Sequence, residues 1–373
     1  MKVIAALDSF KGCLSASDAC KAVAEGILLA HPDAQVIQMP LSDGGEGLTD
    51  VLCHATRGEL VQISAHGPLM EQREVHYALL GDGQTAGMEM AITSGLPLVP
   101  KDLRNPMHTT TYGFGEMIAD AMQRGIRRFI LGIGGSATND AGLGMLQALG
   151  YQFFDKDNQQ ISEPLAGKHL IDIARIDDSR VHPLLKECSF TMACDVQNPL
   201  YGTQGAAYIY GPQKGADAKN VELLDKGLQH FAQVTALYTG KDNAQMPGAG
   251  AAGGLGFALT GFLNATLKPG IALVLDALHF HEEVKDASLV ITGEGKSDKQ
   301  TLMGKVAAGI LNASKPFGVP VVLMAGCIED ADILLQAGFQ QTININAGKD
   351  YPLEIAMRPE VAYQNLKEKS AAL

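Results

Sequence analysis

The chain has 373 residues, 46% of them hydrophobic and 19% charged, and a formal net charge of −12. That length exceeds one ordinary domain and gives enough apolar mass for two cores. The acidic balance, with no basic stripe, argues against a nucleic-acid partner, and no apolar run is long enough for a membrane span.

The start, Met1 to Asp8, is too short and too soon charged for a signal peptide and reads as a first strand. Six cysteines, at 13, 20, 53, 188, 194 and 327, show no C-x-x-C spacing, so reduced thiols in a cytoplasmic protein are expected. The strand Val3–Leu7 runs into Asp8-Ser9-Phe10-Lys11-Gly12. Ser15, with Asp18 three residues on, is a capping-box start for an alanine-rich helix that stops near His31-Pro32. Val36–Met39 is the next strand, closing at Ser42-Asp43-Gly44-Gly45-Glu46-Gly47 before a helix over Leu48–Ala55. Both loops follow the carboxyl end of a strand, where open α/β sheets bind their ligands.

Alternation then takes over. Leu60–Ala65, Arg73–Leu80 and Thr85–Met90 read as strands, the last two joined by a hairpin turn at Gly81-Asp82-Gly83-Gln84. A helix over Thr110–Arg124 leads to the buried strand Arg128–Leu131. There follows Gly132-Ile133-Gly134-Gly135-Ser136-Ala137-Thr138-Asn139-Asp140-Ala141-Gly142-Leu143-Gly144, and then a helix over Met145–Leu149. A strand feeding a glycine-rich turn that opens a helix predicts an anion site at the helix N-terminus. Tyr151–Phe154, Ile171–Ile176 and Phe190–Ala193 read as short strands, and Val221–Tyr238 as a long helix. Leu289–Thr292 restores the buried-strand pattern, followed by a loop, Gly293-Glu294-Gly295-Lys296-Ser297-Asp298, a helix over Val306–Ala313 and a strand over Val319–Leu323.

The expected fold class is α/β. A Rossmann-like parallel-sheet domain built from both chain ends, residues 1–65 and 283–373, is interrupted by a mixed α/β domain over 66–282, with the active site expected in the cleft between them. Two motif readings fail on context. Gly248, Gly250 and Gly253 form a literal G-x-G-x-x-G, but the polar segment before it is unlike the strand that a dinucleotide fingerprint requires. Gly304-Lys305 lacks the glycine spacing of a Walker A loop, so a nucleotide must be held differently. His279 and His281 have no further ligand set nearby for a metal.

The loops themselves are chemically apt. Glycines at 44, 45, 134, 135 and 250 allow close backbone approach, and Ser9, Ser136, Asn139, Asp140 and Asn198 supply side-chain donors and acceptors. Lys214 and Lys296 sit in glycine-flanked turns, and a lysine beside a carboxylate can neutralise a phosphate or carboxylate. Seven of these stretches, in order, resemble the glycerate kinase type I family across essentially the whole chain. They are Asp8–Gly12, Ser42–Gly47, Gly132–Gly144, Cys194–Leu200, Tyr210–Ala216, Pro247–Gly254 and Thr292–Gly295. The resemblance implies ATP-dependent phosphorylation of D-glycerate, at the 2-hydroxyl for type I members, on a Rossmann-like domain interrupted by a second one. One departure is Lys296, where the family has an arginine; an ammonium cannot make the bidentate fork of a guanidinium.

Phosphoryl transfer asks for positioning and charge neutralisation. Asp195 is therefore expected to take the glycerate hydroxyl proton, with Asp43 second. Lys11, with Lys296 as alternate, neutralises the γ-phosphoryl group or the substrate carboxylate. Asp8, Glu46 or Asp298 holds Mg2+ through waters. Ser9, Gly44, Gly45, Gly134, Gly135, Ser136, Asn139, Asp140, Asn198, Lys214, Gly250, Glu294 and Lys296 are the expected substrate- or nucleotide-binding residues. The competing readings are a glycerate 3-kinase or a kinase of a related small hydroxy acid, and, less favoured, an NAD-dependent oxidoreductase. The sequence leaves the oligomeric state open.

Overall fold

The computed structural model describes every residue of the chain except Lys11, Asp43, Gly44 and Glu46. Thirteen strands lie among the described residues. The first five are β1 (Lys2–Leu7), β2 (Gln35–Gln38), β3 (Glu59–His66), β4 (Gln72–Leu79) and β5 (Thr85–Glu89). Next come β6 (Arg128–Gly132), β7 (Gln152–Phe154), β8 (Arg175–Asp177), β9 (Ser189–Ala193) and β10 (Thr266–Lys268). The last three are β11 (Leu289–Ser297), β12 (Val321–Ile328) and β13 (Gln341–Asn344).

The chain divides into two compact units. The first comprises Met1–Asp43, His54–Thr56 and Pro269–Leu373, and the second Gly44–Cys53 and Arg57–Lys268. These divisions fall earlier than the 65/66 and 282/283 boundaries expected from sequence. All of β3 belongs to the second unit's sheet, whereas the helix Gly270–Ala277 packs Ile271 against Gly309 of the first.

The first unit is a five-stranded sheet in the order β13-β12-β11-β1-β2 with every pair parallel. Val3, Ala5 and Leu7 of β1 cluster with Cys20, Val23 and Ile27 of the helix Ala16–Ala30 and with Leu366 of the helix Pro359–Ser370. Ile4 and Ala6, on the opposite face by the strand's alternation, are equally buried, as a doubly covered parallel sheet requires. Ser15 is the N-cap as expected, its Oγ accepting the Asp18 N–H at 3.1 Å, while the Asp18 carboxylate accepts the Ser15 hydroxyl at 2.6 Å in place of the reciprocal backbone bond of a capping box. The chain leaves β1 for β2 on one side and later returns as β11 on the other. The switch point, where a ligand crevice opens, therefore lies between β1 and β11.

The second unit carries a six-stranded mixed sheet, β10-β9-β6-β5-β4-β3, and the small antiparallel pair β7-β8. β3, β4 and β5 run antiparallel, the hairpin turn falling where expected, and β5, β6, β9 and β10 run parallel. Its core is built on Phe114, Phe129, Leu131, Leu146, Phe153, Phe231 and Phe257, all essentially buried. The long helix extends over Ala218–Thr239, capped by Asp217.

Three sequence expectations change. Of the segment expected to be a strand over Ile171–Ile176 only Arg175 and Ile176 pair, as part of β8, whose partner β7 is three residues long. The helix after the glycine-rich turn begins two residues earlier than expected and ends one earlier, at Leu143–Ala148, preceded by Gly142 at φ 73°. The supposed loop after Thr292 is ladder: β11 continues to Ser297, with Glu294 opposite Ala325 and Lys296 opposite Cys327. At Gly293 a Cβ would stand 2.2 Å from the Met324 carbonyl oxygen, so glycine there lets two backbones approach.

Candidate active site

In the first unit, a cavity of about 500 Å3 opens at the carboxyl ends of the parallel strands. Asp8 and Ser9 enter it after β1, Glu294 and Lys296 from the end of β11, and Cys327 from β12. Phe10, Ile345, Leu353 and Met357 make much of the remaining wall apolar. Asp8 is largely buried, and its Oδ1 accepts the Ser9 N–H at 2.6 Å. Glu294 Oε1 accepts from Ser297 Oγ at 3.0 Å and Thr301 Oγ1 at 2.6 Å, and Lys305 Nζ lies 3.8 Å from Oε2. Lys296 reaches Glu329 at 2.9 Å on the surface. Asp298 caps the turn Lys299–Leu302, its Oδ1 accepting the Gln300 N–H at 2.7 Å.

No group of three His, Cys, Asp or Glu side chains able to hold a metal occurs among the described residues. Mg2+ takes one or two protein carboxylates and completes its shell with water and phosphate oxygens. Asp8, at the switch point and on the cavity wall, fits such a carboxylate. Asp298 is engaged in capping. Lys11, Asp43, Gly44 and Glu46, expected at these sites, lie outside the described residues.

In the second unit, strand register aligns a row across four parallel strands: Glu89 opposite Gly132, Gly132 opposite Ala193, and Ala193 opposite Lys268. The turn that holds Gly134–Asp140 and the segment that holds Asp195 and Asn198 leave from that row. From Gly132 the chain makes the turn Gly134–Asp140, held by backbone bonds from Leu96 N to Gly135 O at 2.8 Å and from Ala137 N to Ser94 O at 2.8 Å. Thr109 Oγ1 donates to Ala137 O at 2.9 Å. Gly134 and Gly135 are exposed, and the N–H groups of Gly134 and Ser136 have no partner among the described residues.

The helix N-terminus expected as the anion site is already occupied from within. Asp140 is fully buried and accepts from Thr111 N (2.9 Å), Thr111 Oγ1 (2.8 Å), Gly142 N (3.2 Å) and Gly144 N (3.2 Å). Thr111 Oγ1 in turn accepts the Met145 N–H at 2.9 Å. Burial pushes the Asp140 carboxyl upward against those bonds. The carboxylate caps the short helix and ties it to Thr111, so the ligand-facing donors are those of the turn before it.

Beneath the turn lies Lys214, 2% exposed, donating to Ser136 Oγ and to Thr138 O, both at 2.7 Å. Burial lowers its ammonium to about 7, with the Asp140 charge opposing the shift. Asn139, on the same turn, is fully buried, and neither of its amide atoms has a partner among the described residues. Burying such a group unpaired costs roughly 1–3 kcal/mol.

Asp195 is exposed just past β9, one strand over from the turn. Asn198 is fixed at both ends, its Nδ2 donating to Gln204 O at 2.8 Å and its Oδ1 accepting the Tyr210 hydroxyl at 2.6 Å. Gly250 is buried, and a Cβ there would come 2.2 Å from Pro199 O. At Gly253, φ is 68° and a Cβ would stand 2.0 Å from Thr138 O. These glycines seat one segment against the Asn198–Pro199 and Thr138–Ala141 backbones, with Ala141 N donating to Gly253 O at 3.0 Å. The element directly before them is the helix Ala218–Thr239 and not a strand, in keeping with the failed dinucleotide fingerprint.

Glu89 was not anticipated from sequence. It is 6% exposed and accepts the Thr49 N–H at 2.6 Å and the Gly47 N–H at 3.1 Å, anchoring the loop that contains Gly45. Its mark in the sequence is a carboxylate closing an apolar strand, the same placement that singled out Asp8.

Comparison with known proteins follows this geometry. The family model described as the glycerate kinase family matches residues 3–373. A protein named glycerate kinase from Haemophilus influenzae is 45% identical over 346 residues, covering 92% of this chain and 91% of its own. One named glycerate 2-kinase from Escherichia coli is 43% identical over 346 residues, covering 92% and 90%. A crystal structure from Salmonella typhimurium LT2, assigned as a glycerate kinase 2, superposes with a TM-score of 0.89 at 39% identity, covering 100% of this chain and 96% of that one.

Proposed function

The chain belongs to the glycerate kinase family, and from that membership we propose that it transfers the γ-phosphoryl group of ATP to the 2-hydroxyl of D-glycerate, giving 2-phosphoglycerate and ADP. The observation that carries the reading is the row at Glu89, Gly132, Ala193 and Lys268, from which a donor-lined turn and the Asp195 carboxylate emerge on neighbouring parallel strands. Small, strongly polar glycerate suits that row. The mostly apolar cavity of the first unit suits the nucleoside end of ATP, being within the roughly 300–1,000 Å3 typical of such ligands.

In this reading Asp195 accepts the glycerate hydroxyl proton as the oxygen attacks phosphorus. The turn at Gly134–Ser136 donates to developing negative charge, a stabilisation that needs no reorganisation because the turn is pinned by Ser94, Leu96 and Thr109. Lys296 and Lys305, at the cavity rim, neutralise nucleotide phosphates. Mg2+, when bound through Asp8, supplies charge compensation on the phosphate oxygens. The six cysteines, all free, suit a cytoplasmic enzyme. Among the described residues no helix is long and apolar enough to cross a membrane.

The test is ADP release from ATP and Mg2+ with D-glycerate and a panel of other small hydroxy acids, with the product examined by phosphorus NMR. Release with D-glycerate and a 2-phosphate product is expected. No release with D-glycerate, or a 3-phosphate product, overturns the corresponding part.

A further inference from the structure

We propose that Lys214 and Ser136 form a proton-linked oxyanion site, in which the buried lysine controls whether the Ser136 hydroxyl points at a ligand. The ligand class is an oxyanion: the carboxylate of D-glycerate or a phosphoryl oxygen. This goes one step beyond the reading above and rests on it only for the identity of those two ligands.

The argument begins with donors and acceptors. A protonated lysine has three N–H donors and no lone pair, whereas a hydroxyl has one donor and two lone pairs. With Nζ 2.7 Å from Ser136 Oγ, a charged Lys214 fills a lone pair of that oxygen, and the serine proton must turn away. A neutral amine has a lone pair of its own, so the serine proton can turn inward to it. The second contact, to Thr138 O at 2.7 Å, holds the nitrogen in place in either state, since both forms can donate to it. Protonation thus switches Ser136 from an inward to an outward donor.

The surroundings make that switch matter. Lys214 is 2% exposed, and Asp140 is the one carboxylate described whose charge reaches it. Asp140 itself holds four N–H and O–H donors and forms no direct pair with the lysine. Arg104, whose backbone faces Gly215, turns its guanidinium to the carbonyls of Leu96 and Val99. Among the described residues the buried ammonium therefore has no counter-ion in contact, and burial brings it from the ordinary 10.5 down to about 7. An oxyanion on the Ser136 hydroxyl and the Gly134 and Ser136 N–H groups supplies the missing charge. The unpartnered, fully buried Asn139 amide on the same turn is an independent sign that something completes this site. The proton comes from solvent: on binding, Lys214 changes from –NH2 to –NH3+ while the bulk buffer loses one proton.

Calorimetry of the full-length protein at pH 8, in two buffers of different ionisation heat, tests this. D-glycerate, a non-hydrolysable ATP analogue with Mg2+, and inorganic phosphate are titrated separately. At pH 8 about nine-tenths of a group titrating near 7 is neutral, so the ligand seated at Ser136 should take up close to one proton per site. The arm in which uptake appears identifies the oxyanion. Lys214→Met should abolish the uptake, and its KM for that ligand should lose the roughly tenfold rise per pH unit above 7 that the unaltered enzyme shows. Ser136→Ala, which leaves the buried lysine in place, should weaken oxyanion binding about tenfold and flatten its pH dependence. No uptake with any of the three ligands, or the same uptake in Lys214→Met, overturns the proposal. Unchanged affinity and slope in Ser136→Ala overturn the route through the hydroxyl. Turnover of D-glycerate by the same preparations is a separate readout, so failure of the function and failure of the proton link are distinguishable.

Discussion

Glu89, at the end of β5, accepts the Thr49 N–H at 2.6 Å and thereby fixes the first turn of the helix Leu48–Thr56. The same carboxylate takes the Gly47 N–H, so one buried acid holds both the helix start and the residue before it. Burial pushes its carboxyl above the ordinary value of 4.5 in spite of those bonds. Since the folded protein then binds this proton more readily than the unfolded chain does, the group's contribution to stability grows as pH falls from neutrality through the raised value. Glu89→Gln keeps one acceptor but turns its amide N–H2 on one of the two N–H groups and should lose roughly 1–2 kcal/mol, whereas Glu89→Ala, which orphans both N–H groups, should lose roughly 2–4 kcal/mol. Urea unfolding at pH 7 distinguishes them; equal losses would show that the two bonds do not matter.

Asp140 sets a sharper expectation. With backbone N–H groups donating to both of its oxygens, Asp140→Asn must turn its amide N–H2 toward at least one backbone N–H, which can only donate. A loss of roughly 3 kcal/mol is expected, with fraying of the helix Leu143–Ala148. Denaturant melts check it, and a variant as stable as the parent would remove Asp140 from the list of structural anchors.

Asp195→Asn should leave the fold and nucleotide affinity intact, because the side chain is exposed beyond the end of β9. Turnover should fall by about two to four orders of magnitude, as for the loss of a general base. Steady-state kinetics with matched melting curves decides; near-normal turnover passes the proton to another group.

The cavity can be blocked. Met357 lines it while remaining partly exposed, so Met357→Trp fills space without emptying a core. KM for ATP should rise at least about tenfold and KM for D-glycerate should stay unchanged. If the glycerate constant moves instead, the two ligands have been assigned the wrong way round.

Lys214 also makes a prediction about stability. Its value of about 7 in the folded protein lies below the ordinary 10.5. Between those two values the unfolded chain holds the extra proton, so the lysine's contribution to stability rises with pH across that window. Lys214→Met should therefore be the more stable protein at pH 6–7, and its advantage should shrink as pH approaches 10. Thermal melts across that range measure the difference; a constant gap would mean that the lysine does not titrate there.

Much of the architecture was legible because its signals are local. The alternation of β3 to β5, the Ser15 N-cap and the buried runs at β1, β6 and β11 depend on neighbours a few residues away. What escaped depends on partners distant in sequence. Glu89 reads as the polar end of a strand until Gly47 and Thr49 are brought to it. Asp140 reads as a ligand-binding acid until Thr111 arrives. Lys214 reads as a surface turn lysine until the Ser136 turn closes over it. Gly250 and Gly253 read as ligand glycines, yet the close approach they permit is to the protein's own Asn198–Pro199 and Thr138–Ala141 backbones. The segment Gly293 to Ser297 reads as a loop from its composition, and only the long partner β12 makes it strand.

That last feature governs how the segment tolerates changes in length. A loop of five residues absorbs an added or deleted residue at small cost. Here Glu294 pairs with Ala325 and Lys296 with Cys327, so a single-residue insertion near Gly295 slips the ladder by one position. Every side chain beyond the slip then changes faces, carrying Lys296 away from the cavity wall and Ser297 onto it. Indels in this stretch should therefore be far more damaging than substitutions at its exposed positions, the reverse of the pattern expected at a glycine-rich turn.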